Sequence, residues 1–268
     1  MNEAIMTAKS PVTTKSTESV KWIQLNRPEV RNAINVECAD LVRKELESAI
    51  EDKIRVVVLT GRGGCFCSGA DLKALNLEET DTESLTAVLE EHYHPLLLAL
   101  NESPVPIVAA VDGVAAGIGC DIALACDIRL ASDTAVFCEI FGQVGLLPDG
   151  GGTFNLPRIV GLGRAMEMAL TCQNVRAEQA LEWGMVTHIY PADAFKQHVQ
   201  SYVERLAYKA PLAVARTKQA IREAVGNFSF ADAIKRESEL QKDLFVSRDF
   251  KEGVNAFLQK RSPNFRGS

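Results

Sequence analysis

The sequence predicts an α/β layered core followed by an all-helical C-terminal region, and three observations carry that prediction. Short β-branched or apolar runs alternate with helix-forming stretches over the first two thirds of the chain. After residue 191 the apolar residues change to helical spacing. Apolar residues make up 47% of the 268, enough for a substantial buried core.

Residues 1–17 are rich in Ser, Thr and Lys, contain Pro11 and lack the apolar stretch of a signal peptide, which predicts a flexible tail. VKWIQL at 20–25 reads as a strand, and NRPEVRNAIN turns the chain into a helix around 35–52. RVVVLTG is a second strand, ending at Gly61. PIVAAVDG (106–113) precedes a helix within GIGCDIALAC, and IRLAS and AVFCEI follow as two short strands. Beyond VTHIYP, Phe195, Val199, Val203 and Leu206 recur at helical spacing. Pro211 separates two helices, Gly226 ends the second, and Ser229 with Asp232 forms a capping-box pattern ahead of Ile234, Leu240 and Leu244. The chain is thus expected to divide into a flexible tail (1–17), a core (18–191) and a helical oligomerisation region (192–268). So many apolar helical positions must pack on the core or on another subunit.

Composition narrows the function. A net charge of -6 and an isoelectric point near 5.4 argue against a general nucleic-acid binder, leaving only a local basic patch for an anionic ligand. No run of about 18 apolar residues occurs, so no membrane span is expected. Seven cysteines form an odd set without paired CxxC spacing, which predicts reduced core thiols in a cytoplasmic protein and no metal site.

The chemistry gathers at three turns. QVGLLPDGGGTF (143–154) sets a lone carboxylate, Asp149, on a tight turn in apolar surroundings, where it is a candidate general base. GGCFCSGADLK (63–73) and GVAAGIGCDIALACDI (113–128) are small-residue turns, each after an apolar run and each leading into a helix. A base facing two converging N–H donors is what proton abstraction beside a carbonyl requires, because the enolate charge must be stabilised as it forms. Local sequence also allows a plainer reading. Gly69, Gly117 and Gly119 then only permit tight turns, and Asp149 is a turn or cap aspartate after Pro148.

LNRPEVRNAIN, CFCSGADLK, PIVAAVDGVAAGIGCDIALACDIRLAS and GLLPDGGGTFNLPRIVG, in this order and spacing, resemble the crotonase family of acyl-coenzyme A enzymes. FKEGVNAFLQKRSPNF is similar to that family's C-terminal helix, so the resemblance runs from about residue 20 to the end. It implies a crotonase-like spiral of β-β-α units, an acyl-CoA substrate with no further cofactor, and a homotrimer or a hexamer of stacked trimers.

By position in the family, the oxyanion hole falls on the backbone N–H groups of Ala70 and Ile118, the latter standing where a glycine is common. Family hydratases hold and deprotonate a water with two glutamates. Here the first position is Asp121 and the second falls on Phe141, which cannot act as a base. Glu139 lies two residues earlier, a translation of about 6.5 Å along a strand. Asp149 stands where some family isomerases and a dehalogenase carry an aspartate, so it is either a base moving a proton between C2 and C4 or a nucleophile. The PDGGG turn and LPRIVG resemble the ring-epoxide and enoyl isomerases of phenylacetate degradation. Asp121, in the first turn of a helix beginning near Gly117, is expected to stabilise the helix as a carboxylate, or to hold water. His92 and His94 lie near the stretch that lines the family's acyl pocket. Arg27, Ser68, Asp71 and Lys73 are placed against coenzyme A, and Phe257 with Lys260 against its adenosine group, from a neighbouring subunit. The resemblance thus implies an enoyl-CoA isomerase, with an enoyl-CoA hydratase or a noncatalytic acyl-CoA binder as alternatives.

Overall fold

In the computed structural model, which describes residues 10–74, 81–226 and 228–268, the chain winds through successive turns, two of which place one strand in a large sheet and the next in a small one. β1 (Val12–Ser16) and β2 (Val20–Leu25) form an antiparallel hairpin, and α1 (Val36–Glu51) leads to β3 (Val56–Gly61). α2 (Thr82–Val88) continues through a π turn into α3 (His94–Glu102), where Pro95 occupies the first helical turn. β4 (Ile107–Val111), β5 (Val114–Ala116) and α4 (Ile118–Ala125) make one β-β-α unit. β6 (Ile128–Ser132), β7 (Val136–Cys138) and α5 (Gly152–Val160) make the next. α6 (Leu162–Thr171), β8 (Val175–Arg176), α7 (Ala177–Glu182) and β9 (His188–Tyr190) close the core. Four helices follow: α8 (Phe195–Ala207), α9 (Pro211–Ala224), α10 (Phe230–Phe245) and α11 (Arg248–Leu258).

The large sheet runs β1-β2-β3-β4-β6-β9, parallel from β2 onward, and the small one runs β5-β7-β8. The continuous apolar run of β3 reflects burial on both faces, as parallel strands require. Val57 and Leu59 join the main core with Ile107 and Ala109, while Val56 and Val58 face the other way. Asn35 caps α1 by accepting the Cys38 N–H, and the capping box of Ser229 and Asp232 starts α10 as its sequence predicts. Among the described residues no helix is long and apolar enough to cross a membrane.

Two expected boundaries move. Residues 1–9 of the expected tail lie outside the described residues, but Val12–Ser16 is a strand paired with β2 from Val12↔Leu25 to Ser16↔Lys21. It is an edge strand in which only Val12 is buried, so its polar composition disguised it. The division near 191 separates strands from helices without separating packing units. Phe195, Val199, Val203 and Ala207 of α8 cover the outer face of the large sheet against Val20, Val56, Val58, Val108 and Leu130. The core therefore continues through α8. Lys218 and Arg222 then tie α9 to it through Asp127, each at 2.7 Å.

Candidate active site

Both small-residue turns leave the sheets at the C-terminal ends of strands and meet side by side. After β3 the chain makes an isolated parallel bridge between Ile34 and Ala70, in which the Ile34 N–H donates to the Gly69 carbonyl and the Asp71 N–H to the Ile34 carbonyl. In that pattern the flanking residues make the bonds, so the Ala70 N–H has no backbone partner among the described residues. Ile118 is the first residue of α4, where a helix leaves its N–H groups unsatisfied, and its N–H likewise has no backbone partner among the described residues. Gly69 at φ 116° and Gly117 at φ 52° take backbone conformations that side chains disfavour. A Cβ placed on Gly117 would lie 3.9 Å from the Gly69 Cα, so the turns are adjacent. The Ile118 side chain is packed in the main core, which answers how a bulky residue stands where a glycine is common.

Residues that the sequence did not single out hold this arrangement. Asn32, buried, accepts the Arg27 N–H and donates to the carbonyls of Arg62 and Cys65. The buried Tyr93 hydroxyl donates to the Ile34 carbonyl at 3.0 Å, bracing the segment that bridges to Ala70. No local feature of either residue announces this role, so only the long-range contacts reveal it.

Asp149 lies half-buried on the third turn, beside a pocket of about 380 Å³ that His94, Leu97, Leu98, Phe154 and Asn155 also line. Partial burial raises its pKa above the ordinary aspartate value, and a hydrogen bond from its own backbone and the nearby His94 oppose the rise. A carboxylate in that state is a better base than a free aspartate. The three glycines after it have separate reasons. Gly151 takes φ 86° at the N-cap of α5. A Cβ on Gly150 would come within 2.6 Å of the Asp121 carboxylate, one on Gly152 would also collide with it, and the Gly150 N–H donates to Asp121 Oδ2 at 3.0 Å.

Asp121 therefore sits behind the Asp149 turn, fully buried, with Oδ1 unpartnered among the described residues. The expected helix-stabilising carboxylate does not survive this burial. Its pKa is raised well above the ordinary value by desolvation first and by Glu139 second, against the Gly150 N–H. A helix dipole favours the charged form by about 0.3–1 kcal/mol, less than the several kcal/mol that desolvation costs. Glu139 is also fully buried. It lies past the end of β7, at the start of a 3-10 turn over Ile140–Val144, so strand alternation does not govern its direction and its side chain points inward beside Cys120. Phe141, buried, places its ring edge 3.9 Å from the Cβ position of Gly117, next to the paired turns.

The other expected residues divide. His94 reaches the Asp149 pocket, whereas His92 points away to Asp40 at 3.0 Å. Arg27 pairs with Asp71 at 2.8 Å and donates to the Ala33 carbonyl, so both residues clamp the Ala70 loop. The Ser68 hydroxyl donates to the Val30 carbonyl, and Lys73 is exposed. Phe257 is 83% exposed and Lys260 is exposed beside it. The tail after them is anchored at the start of β3, where Arg55 donates to the Phe265 carbonyl, while the paired turns lie beyond the far ends of the strands.

The family model described as enoyl-CoA hydratase/isomerase matches residues 15–268. The chain is 41% identical over 258 residues to a probable enoyl-CoA hydratase of Rhodobacter capsulatus, covering 93% of this chain and 95% of that protein. It is 39% identical over 252 residues to the 1,2-epoxyphenylacetyl-CoA isomerase of Escherichia coli, covering 93% and 96%. The crystal structure of an enoyl-CoA hydratase from Bacillus anthracis superposes with a TM-score of 0.91 at 29% identity, covering 96% of this chain and all of that one.

Proposed function

The chain belongs to the enoyl-CoA hydratase/isomerase family, and from that premise we propose that it shifts a carbon–carbon double bond within an enoyl-CoA thioester. Asp149 takes a proton from C2 of a 3-enoyl thioester and returns it to C4. The charge that develops on the thioester oxygen is held by the N–H groups of Ala70 and Ile118. No cofactor beyond the coenzyme A of the substrate takes part. Arg27, Ser68, Asp71 and Lys73 form the rim over which the coenzyme A lies, Arg27 and Asp71 as a clamped pair.

One observation carries this reading: of the three neighbouring carboxyl groups, only Asp149 borders an open pocket, while Asp121 and Glu139 are fully buried. Proton shuttling needs a single base. Hydration needs a water held and deprotonated beside the substrate, and Phe141 is apolar at the family's second glutamate position. A second reading, hydration of a 2-enoyl thioester, is favoured by the closeness of Asp121 and Glu139 and by the similarity to a probable hydratase.

A panel of 2-enoyl, 3-enoyl and ring-bearing CoA thioesters, with products identified by mass, separates the two. Isomerisation of the best 3-enoyl substrate is expected to exceed hydration of the 2-enoyl product by about 100-fold or more. Hydration equal to or faster than isomerisation across the panel would establish the second reading instead.

The active form is proposed to be a homotrimer or a hexamer. Leu147 (68% exposed) precedes the catalytic turn, Leu162 and Leu170 stand out from α6, and Phe230, Phe257 and Leu258 lie exposed on the C-terminal helices. Assembly would also bring Phe257 and Lys260 to a neighbour's coenzyme A. Light scattering at micromolar concentration is expected to give three or six times the chain mass; a fully active monomer would remove both claims. The cysteines, all free and buried, are consistent with a cytoplasmic location.

A further inference from the structure

Glu139 has a surrounding that the proposed reaction does not explain. It is fully buried, and both carboxyl oxygens lack a hydrogen-bond partner among the described residues. Buried carboxyl groups are ordinarily satisfied, because an unmade hydrogen bond leaves the full desolvation cost in place. Another unpartnered oxygen nearby is Oδ1 of Asp121, whose Oδ2 holds the Gly150 N–H. The chain therefore encloses two carboxyl groups behind the turn of a third.

We propose that Glu139 is a positioning residue for the Asp149 base: with Asp121 it forms a buried carboxyl pair behind the Gly150–Gly152 turn, and the charge on that pair sets how strongly Asp149 holds a proton. The proposal rests on the reading of Asp149 as the proton-transferring base. The titratable groups facing Glu139 are Cys120 and Asp121 on α4, Cys138 on β7 and Asp149 on the turn, with His94 of α3 beyond Asp149.

The charge on Glu139 depends on these surroundings. Asp149 is the least buried of the three, and its rise by burial is opposed by His94. Burial pushes Glu139 up to about 7, opposed by the Cys120 thiol and assisted by the charge on Asp149. Desolvation raises Asp121 well above the ordinary aspartate value, with Glu139 adding to the rise and the Gly150 N–H opposing it. Above neutrality a negative charge then lies behind Asp149 and makes it more basic. Proton abstraction follows base strength, so the rate should climb as Glu139 ionises.

The same group leaves a mark that does not depend on activity. A carboxyl whose pKa is raised in the folded state binds a proton there that the unfolded chain has released. Its contribution to stability is present below the ordinary value of 4.5 and is lost as pH rises to about 7.

The experiment measures the maximal isomerisation rate and the melting temperature between pH 5 and 9 for wild type, Glu139→Gln and Glu139→Met. Both substitutions are permanently neutral, and the second also removes hydrogen-bonding capacity. Wild type is expected to show a rise of about three- to ten-fold through neutrality. Both variants should lose this step and stay near the lower plateau, and their melting temperatures should fall less between pH 5 and 8 than the wild-type value, by several degrees. If both variants retain the step near neutrality, or if their melting temperatures track wild type across the range, the proposal is overturned. A flattened melting profile with an unaltered rate profile overturns it as well, since Glu139 would then ionise without acting on Asp149. Failure of the underlying reading looks different: wild type would show no isomerase turnover, or Asp149→Asn would retain it.

Discussion

Asp149→Asn is expected to lower the maximal isomerisation rate by about 10³-fold while leaving substrate affinity and melting temperature close to wild type. The substitution removes the base and keeps the shape. The backbone turn depends on Gly150, Gly151 and Asp121, none of which it touches, and the side chain is only half-buried. An interaction used only in the transition state lowers the rate at saturation without weakening binding, so the loss should appear in kcat and not in KM. A variant with near-normal turnover on the best substrate would remove Asp149 from the chemistry. The pH profile offers a second check. Because the pKa of Asp149 is raised by burial, the acid limb of wild-type activity should lie above the ordinary aspartate range, with activity lost as pH falls through it.

Ile118→Pro is expected to cost about 10²–10³ in kcat, because it deletes one of the two donors aimed at the thioester oxygen. Backbone donors are rarely open to mutation, but this one is the first residue of a helix. Proline is at home there: its missing N–H would have had no helical partner, and its fixed φ suits the position. Gly117 before it already has a backbone conformation that owes nothing to a side chain. Proline also trims a buried side chain, so a stability loss of about 1–3 kcal/mol should accompany it. Ile118→Ala supplies the control, since it trims the same side chain and keeps the N–H. If proline and alanine variants have equal kcat, the Ile118 N–H is not an oxyanion donor; a large deficit for proline alone identifies it.

Residues whose own type carries the chemistry are legible in the amino-acid sequence. A lone aspartate in a proline- and glycine-rich turn, and two small-residue turns, are local patterns with local physical causes, and the two turns follow β3 and β5. The strands VKWIQL and RVVVLTG and the capping box at Ser229 are equally readable, because burial on both faces and helix capping leave periodic or fixed-spacing signatures. Glu139 is misplaced by counting along a strand that has already ended at Cys138. Once the chain enters a 3-10 turn, alternation no longer says which way a side chain points.

By itself the sequence determined the layered α/β class, its principal strands and C-terminal helices, and the family. All of these depend on residues close together in the chain. Tertiary structure decided that a polar edge strand completes the sheet, that α8 belongs to the core, that Arg27 answers Asp71, and that Asp121 is buried against the Asp149 turn. The physical reason is common to all four. Pairing, burial and the protonation state of a carboxyl group depend on what surrounds it in space, and those neighbours come from separate segments of the chain, joined only when the sheets stack and exclude water.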